Sequence, residues 1–298
     1  MNISVVIPLY NKQDYIGETI ASCLRQTSPV DEIIVVDDGS TDDSLRVVKG
    51  IEDSRIRIIK KRNGGCSSAR NIGIKEAKSE FVALLDADDY WHPDFIKTIR
   101  GLINDFPQCH VFATAYGLTF EGRVRNAKIR GVPKNGVIKN YIIPFARGES
   151  PLHVSNTVIR RKYFEIIGYF NEDVFAEDLE MWMRLTDNNV IAYRATVMAY
   201  WRQNVKGQMT EGKIYNSDLC FVKVLQKGKI ANGPLAKYYK KALAKSLQCM
   251  AANNLRYGNL ASALPFIWRK EALYPTSGLL RIGKSVLLKA AKISKLRK

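Results

Sequence analysis

The chain has 298 residues, 46% of them apolar, which is enough to bury a sizeable core and argues against global disorder. Its formal charge is +17, distributed unevenly: residues 213–298 hold 18 Lys or Arg against two acids, Asp218 and Glu271. The body is therefore near neutral and the C-terminal segment cationic, a charge pattern that seeks phosphates on nucleic acid or on an anionic membrane. No apolar run approaches the ~18 residues of a spanning helix, and the apolar start lacks the basic opening of a signal peptide. Five scattered cysteines (Cys23, Cys66, Cys109, Cys220, Cys249) form no CxxC pair. They read as free packing thiols of a reducing cytoplasm.

From residue 1 to about 105, strand and helix patterns alternate. Apolar runs predict strands near 3–9, 32–37, 55–60 and 80–86, with a helix over 13–26 that carries Ile16, Ile20 and Leu24 on one face. Alternation of this kind specifies an α/β fold with a parallel sheet and right-handed crossovers. Residues 110–160 are richer in Gly, Pro and β-branched types and read as strands with loops, with a strand over Val154–Arg160. A helix follows over Ala176–Leu185, its apolar face made of Leu179, Trp182 and Leu185, and then a strand over Val190–Trp201. Beyond about 213 the pattern is helical, with a hairpin of helices over 234–257 and 259–272.

Two buried strands end in carboxylates. Val35-Val36 leads into Asp37-Asp38-Gly39-Ser40-Thr41-Asp42-Asp43, and Phe81–Leu85 leads into Asp86-Ala87-Asp88-Asp89. Ligands of open α/β sheets sit at the carboxyl ends of the strands, so these acids converge on one cleft. Asp86 and Asp88, at i and i+2, suit a hard divalent cation shared with a diphosphate. Asp37 or Asp38 is placed to accept from a base or ribose. Ser40 or Thr41 reads as an N-cap, with Asp43 in the first turn of the next helix. The turn Asn63-Gly64-Gly65-Cys66 opens a helix bearing Arg70, a candidate phosphate or base contact. Glu177-Asp178 begins the helix that follows; acids there meet the dipole favourably, and one of them can act as a general base.

The stretches VVIPLYN, VVDDGSTDDS, the Asn-Gly turn with ARNxG, LLDADD followed by HPD, IGYFNE and the Glu-Asp pair occur in this order over about residues 1–210. Together they resemble glycosyltransferase family 2, the inverting GT-A enzymes of bacterial surface-polysaccharide type. The resemblance implies a GT-A domain over 1–212, with a nucleotide-sugar half at about 1–105 and an acceptor half at about 106–212, followed by a basic helical extension over 213–298. It implies nucleotide-sugar contacts from Pro8, Tyr10, Asp38, Arg70 and Asp86, a Mn²⁺ or Mg²⁺ ligand in Asp88 beside Asp86, and Asp178 as catalytic base. The donor is expected to be a UDP-sugar and the acceptor a glycan hydroxyl, on a lipid-linked glycan. Many members carry a histidine two residues beyond the arginine matching Arg202; here Gln203 and Asn204 stand instead. Arg202, Lys206, Gln208, Glu177 and His153 are candidates for diphosphate or acceptor contacts.

Gly278–Ser285 spells GxxxxGK[ST], but no strand precedes it and 13 residues follow, so a P-loop is not expected. Residues 278–298 contain seven basic residues and no acid, and read as an amphipathic helix lying on anionic lipid at the inner face of the cell membrane. Two other classes were weighed. A nucleic-acid-binding protein would interleave aromatics with its basic residues, and none follows Tyr274. A sugar nucleotidyltransferase would need a Gly-rich basic signature soon after the first strand, where Pro8-Leu9-Tyr10-Asn11-Lys12 stands.

Overall fold

A computed structural model describes residues 1–127, 129–173, 176–185, 191–205, 214–215, 222–226, 233–258 and 260–273. By Cα packing the chain divides into two compact units. The first comprises Met1–Tyr141, Ser150–Asp173 and Glu177–Lys206, and the second Ile142–Glu149, Val174–Ala176 and Gly207–Lys298.

In the first unit the alternating apolar runs become β1 (Ile3–Leu9), α1 (Ile16–Leu24), β2 (Glu32–Asp37), α2 (Ser44–Lys49), β3 (Ile56–Lys60), α3 (Cys66–Glu76) and β4 (Phe81–Leu84). There follow β5 (Tyr90–Trp91), α4 (Phe95–Asp105), β6 (Val111–Phe120), β7 (Arg123–Asn126), β8 (Asn135–Ile138), β9 (Thr157–Arg160), α6 (Phe164–Ile167), α7 (Glu177–Arg184) and β10 (Ile191–Arg202). The strands form one sheet in the order β3-β2-β1-β4-β9-β6-β10-β5, with β7 on β6 and β8 on β10. The β3-β2-β1-β4 half is parallel, and β9 joins it to β6 through antiparallel ladders. β1 and β4 are buried along their whole length, as strands covered on both faces must be. Helix α3 lies close on that sheet because Gly73 has no side chain: a Cβ there would meet Val6 Cγ1 at 2.4 Å.

The second unit contains α5 (Ile142–Arg147), which packs on the helix Ala236–Tyr257, and a second helix, Leu260–Ile267. Asn254 fastens this hairpin, accepting from Tyr215 N at 2.7 Å and donating to the carbonyls of Tyr215 and Ser262. No helix among the described residues is long and apolar enough to cross a membrane. Residues 278–298, the expected amphipathic helix and the GxxxxGK[ST] run, lie outside the described residues.

Three local expectations are corrected. Helix α2 starts at Ser44, so neither Ser40 nor Thr41 caps it. Asp42 Oδ1 accepts from Ser44 N at 2.9 Å instead, while Ser40 Oγ is taken by Asn11 N. The strand expected from Val154 starts at Thr157. Val154–Asn156 is a 3-10 turn because Asn156 turns inward to donate to Thr114 O and Pro151 O. The last helix ends at Ile267, and Lys270–Leu273 is a 3-10 turn.

Candidate active site

The parallel ladder carries four chain segments to one edge, those leaving β1, β2, β3 and β4. Asp38 N donates to Leu9 O, Lys61 N to Asp37 O and Leu85 N to Val6 O, so the pairing runs past the ends of β2, β3 and β4. The residues just beyond these ends (Tyr10–Lys12, Asp38–Ser40, Lys61–Gly65, Asp86–Asp89) therefore cluster where the sheet stops satisfying its own backbone.

Asp38 is buried and holds the glycine turn. Its carboxylate accepts from Gly64 N at 2.9 Å, Gly65 N at 2.8 Å and Lys61 Nζ at 2.5 Å. An ionised carboxylate has about four acceptor positions, so one is left for a ligand N–H. Gly65 adopts φ +90° to aim these amides, a left-handed geometry that favours glycine. Pro8 is buried in β1, and Tyr10 stands 46% exposed just beyond it, an open aromatic face.

Arg70 is the hub. It is buried on α3, donates through Nη2 to Asp86 Oδ1 at 2.7 Å and through Nη1 to Glu177 Oε1 at 2.5 Å, and lies over the Phe170 ring. Its Nε–H is buried without a partner among the described residues. Burial disfavours ionisation of Asp86, but the positive charges around it, Arg70 foremost, together outweigh it and hold the carboxyl below its ordinary value.

Asp178 follows Glu177 on the first turn of α7 and has no such partner among the described residues. Burial, reinforced by the neighbouring Glu177 carboxylate, pushes its carboxyl up to about 6. Two carboxylates served by one arginine network are thus driven in opposite directions, the pattern that separates a fixed anion from a proton acceptor.

Asp88 lies 2.9 Å from Lys12 Nζ. Burial raises its carboxyl, against the pull of that ammonium. Asp86, Asp89 and His153 place ligand atoms within 4.8 Å of one another. Asp89 is fully buried, however, and already accepts from Ser155 Oγ at 2.5 Å and Arg202 N at 2.9 Å. It ties β10 and the turn before β9 to the acidic loop. Asp86 and Asp88 are hard oxygen donors, the ligand type that Mg²⁺ and Mn²⁺ take, and Asp88 faces the Lys12 ammonium. His153 is packed on Trp201 with ring centroids 4.6 Å apart, and burial lowers its imidazole to about 4.

The structure brings Asp86 and Glu177 together on Arg70, sets a His153 nitrogen within 4.8 Å of an Asp86 oxygen, and pairs Asp88 with Lys12, while Asp38 holds the glycine turn. Glu177 Oε1 accepts from Arg70 Nη1 at 2.5 Å. The Arg202 side chain pairs with Glu18 at 2.5 Å and lies over Tyr90, so only its backbone N–H reaches the acidic cluster. Lys206 and Gln208 lie outside the described residues. Sequence reasoning missed Lys12, Lys61, Asp89 and Ser155. Asp89 carried a signal, as a third acid at a buried strand end; the lysines carried none.

The sequence profile described as Glycosyl transferase family 2 matches residues 4–167. An uncharacterized glycosyltransferase of Rickettsia felis is 34% identical over 189 residues, covering 61% of this chain and 31% of that protein. UDP-Glc:alpha-D-GlcNAc-diphosphoundecaprenol beta-1,3-glucosyltransferase WfaP of Escherichia coli is 46% identical over 90 residues, 30% of this chain and 36% of that protein. These matches span about a third of each relative. Among solved structures, S. aureus TarS 1–349 in complex with UDP-GlcNAc superposes with a TM-score of 0.63 over 89% of this chain and 90% of that one, at 20% identity. That likeness is one of fold, the α/β GT-A arrangement.

Proposed function

This chain belongs to glycosyl transferase family 2, and we propose that it transfers a sugar, with inversion, from a UDP-sugar to a hydroxyl of a lipid-linked glycan in bacterial polysaccharide synthesis. The observation that carries the proposal is the Arg70 bridge, whose guanidinium holds Asp86 at 2.7 Å and Glu177 at 2.5 Å, next in sequence to Asp178, whose carboxyl is raised by burial. The donor class is supported by the remaining acceptor position on Asp38, which suits an imide N–H, and by the exposed Tyr10 ring beside it. WfaP's name, with its diphosphoundecaprenol acceptor, supports a lipid-linked acceptor.

In this mechanism Asp38 and Tyr10 position the base, and Asp86, fixed by Arg70, faces the ribose. A divalent ion bound at Asp86 and Asp88 would supply the charge that offsets the departing diphosphate. Asp178 takes the proton from the acceptor hydroxyl as its oxygen forms a bond to the anomeric carbon. The carbon–oxygen bond to the diphosphate breaks on the opposite face, and the nucleotide leaves with that electron pair. A single displacement of this kind, through an oxocarbenium-like state, inverts the anomeric centre. A lipid-linked acceptor and a cytoplasmic nucleotide-sugar meet at the inner face of the cell membrane, and the +16 of residues 213–298 favours attachment there.

The test is Asp178→Asn with radiolabelled UDP-sugars and lipid-linked acceptors. UDP binding close to wild type with transfer lost supports the proposal; unimpaired transfer removes Asp178 as the base.

A further inference from the structure

Lys12 belongs to no element of the mechanism above, yet its position is tightly set. Its N–H donates to Ser44 Oγ at 2.7 Å, and its carbonyl accepts from Tyr15 N and Ile16 N at 3.0 Å. The preceding Asn11 is held at φ +51°, with its side-chain carbonyl accepting from Thr41 N at 2.8 Å. The backbone is therefore anchored to α2 and to the start of α1, directly beyond β1. From that base the ammonium reaches Asp88 Oδ2 at 2.9 Å, with side-chain exposures of 14% and 18%.

A lysine ammonium is a compact charge on a flexible four-carbon stem. It can leave Asp88 by rotamer changes while its backbone stays in place. A divalent ion bonded to Asp88 would sit about 2.0–2.2 Å from the same carboxylate. The ammonium occupies Oδ2, and a divalent ion on the same part-buried carboxylate would lie close enough to repel it, so the two cations compete for Asp88. A displaced ammonium remains tethered beside the acidic loop, where a diphosphate bridged to that ion would lie.

Building on the donor site proposed above, we infer that Lys12 is the resident counter-cation of Asp88, displaced when a divalent ion binds and then transferred to the donor's diphosphate. Metal alone binds weakly because it must evict the ammonium. Metal with nucleotide binds well because the eviction is offset by a new ion pair. The two ligands are thereby coupled, each raising the affinity for the other.

The experiment measures Mn²⁺ binding without nucleotide, by electron paramagnetic resonance of free Mn²⁺, and UDP binding with and without Mn²⁺, by calorimetry, for wild type, Lys12→Met and Lys12→Arg. Lys12→Met is expected to bind Mn²⁺ alone on the order of tenfold more tightly than wild type, equivalent to about 1.4 kcal/mol. It is also expected to bind UDP more weakly at saturating Mn²⁺, while Lys12→Arg keeps the wild-type order. If Lys12→Met does not fold, Lys12→Gln makes the same comparison. Unchanged or weaker Mn²⁺ binding on loss of the ammonium overturns the inference and leaves the donor site intact. UDP binding with no Mn²⁺ binding to any variant overturns the metal assignment, and this inference with it.

Discussion

Arg70 donates to Glu177 at 2.5 Å across 107 residues of chain, joining the helix after the glycine turn to the helix that bears Asp178. The same guanidinium fixes Asp86 at 2.7 Å. One side chain thus sets the spacing between the end of β4 and the start of α7.

Removing Arg70 leaves two part-buried carboxylates without their counter-charge. Arg70→Met is expected to lower unfolding free energy by about 3–5 kcal/mol, read as the midpoint of urea denaturation. Arg70→Lys restores the charge but not the two-pronged geometry, and is expected to fall between the two.

The pH profile follows from Asp178. A base must be deprotonated, and burial with Glu177 places this carboxyl at about 6. The expected kcat/KM is flat above pH 7 and falls about tenfold per unit well below pH 6. The same shift has a thermodynamic sign. A carboxyl whose folded-state pKa is raised favours the native state while protonated, and that contribution is lost as pH rises from about 4 to about 6. Asp178→Asn should therefore raise the melting temperature at pH 8 while abolishing transfer, and raise it much less at pH 4.

Asp38 ties the glycine turn to the base site. Asp38→Ala removes the acceptor for Gly64 N, Gly65 N and Lys61 Nζ together. UDP affinity measured by calorimetry is expected to drop roughly 10- to 100-fold. Faster hydrogen exchange of the Gly64 and Gly65 amides is expected to accompany it.

Gly73 tests the packing that positions Arg70. Gly73→Ala drives a methyl group against Val6 and Val36, which must shift or push α3 off the sheet. The expected cost is about 1–3 kcal/mol, checked by thermal denaturation. UDP affinity should fall with it, because Arg70 rides on the same helix.

Much of this was legible in the sequence because its signals are local. Apolar runs located β1 and β2 to the residue and β3 to within one. The cap of α2 was misread because Ser40 and Thr41 are used in tertiary contacts with Asn11 rather than in the helix. The Arg70–Glu177 and Lys12–Asp88 pairs were invisible because they join residues distant in the chain, and charged side chains on loops have no periodicity. Asp89 was passed over in favour of Asp86 and Asp88; only its burial against Ser155 and Arg202 gives it a structural role.

The most direct measurement is calorimetric titration of the purified protein with UDP, GDP and dTDP, each in Mn²⁺ and in EDTA. UDP binding that requires Mn²⁺ and is lost in Asp88→Ala is the predicted result. Binding of none of the three nucleotides in either condition would contradict it, since the carboxylates at the strand ends would then form no nucleotide site.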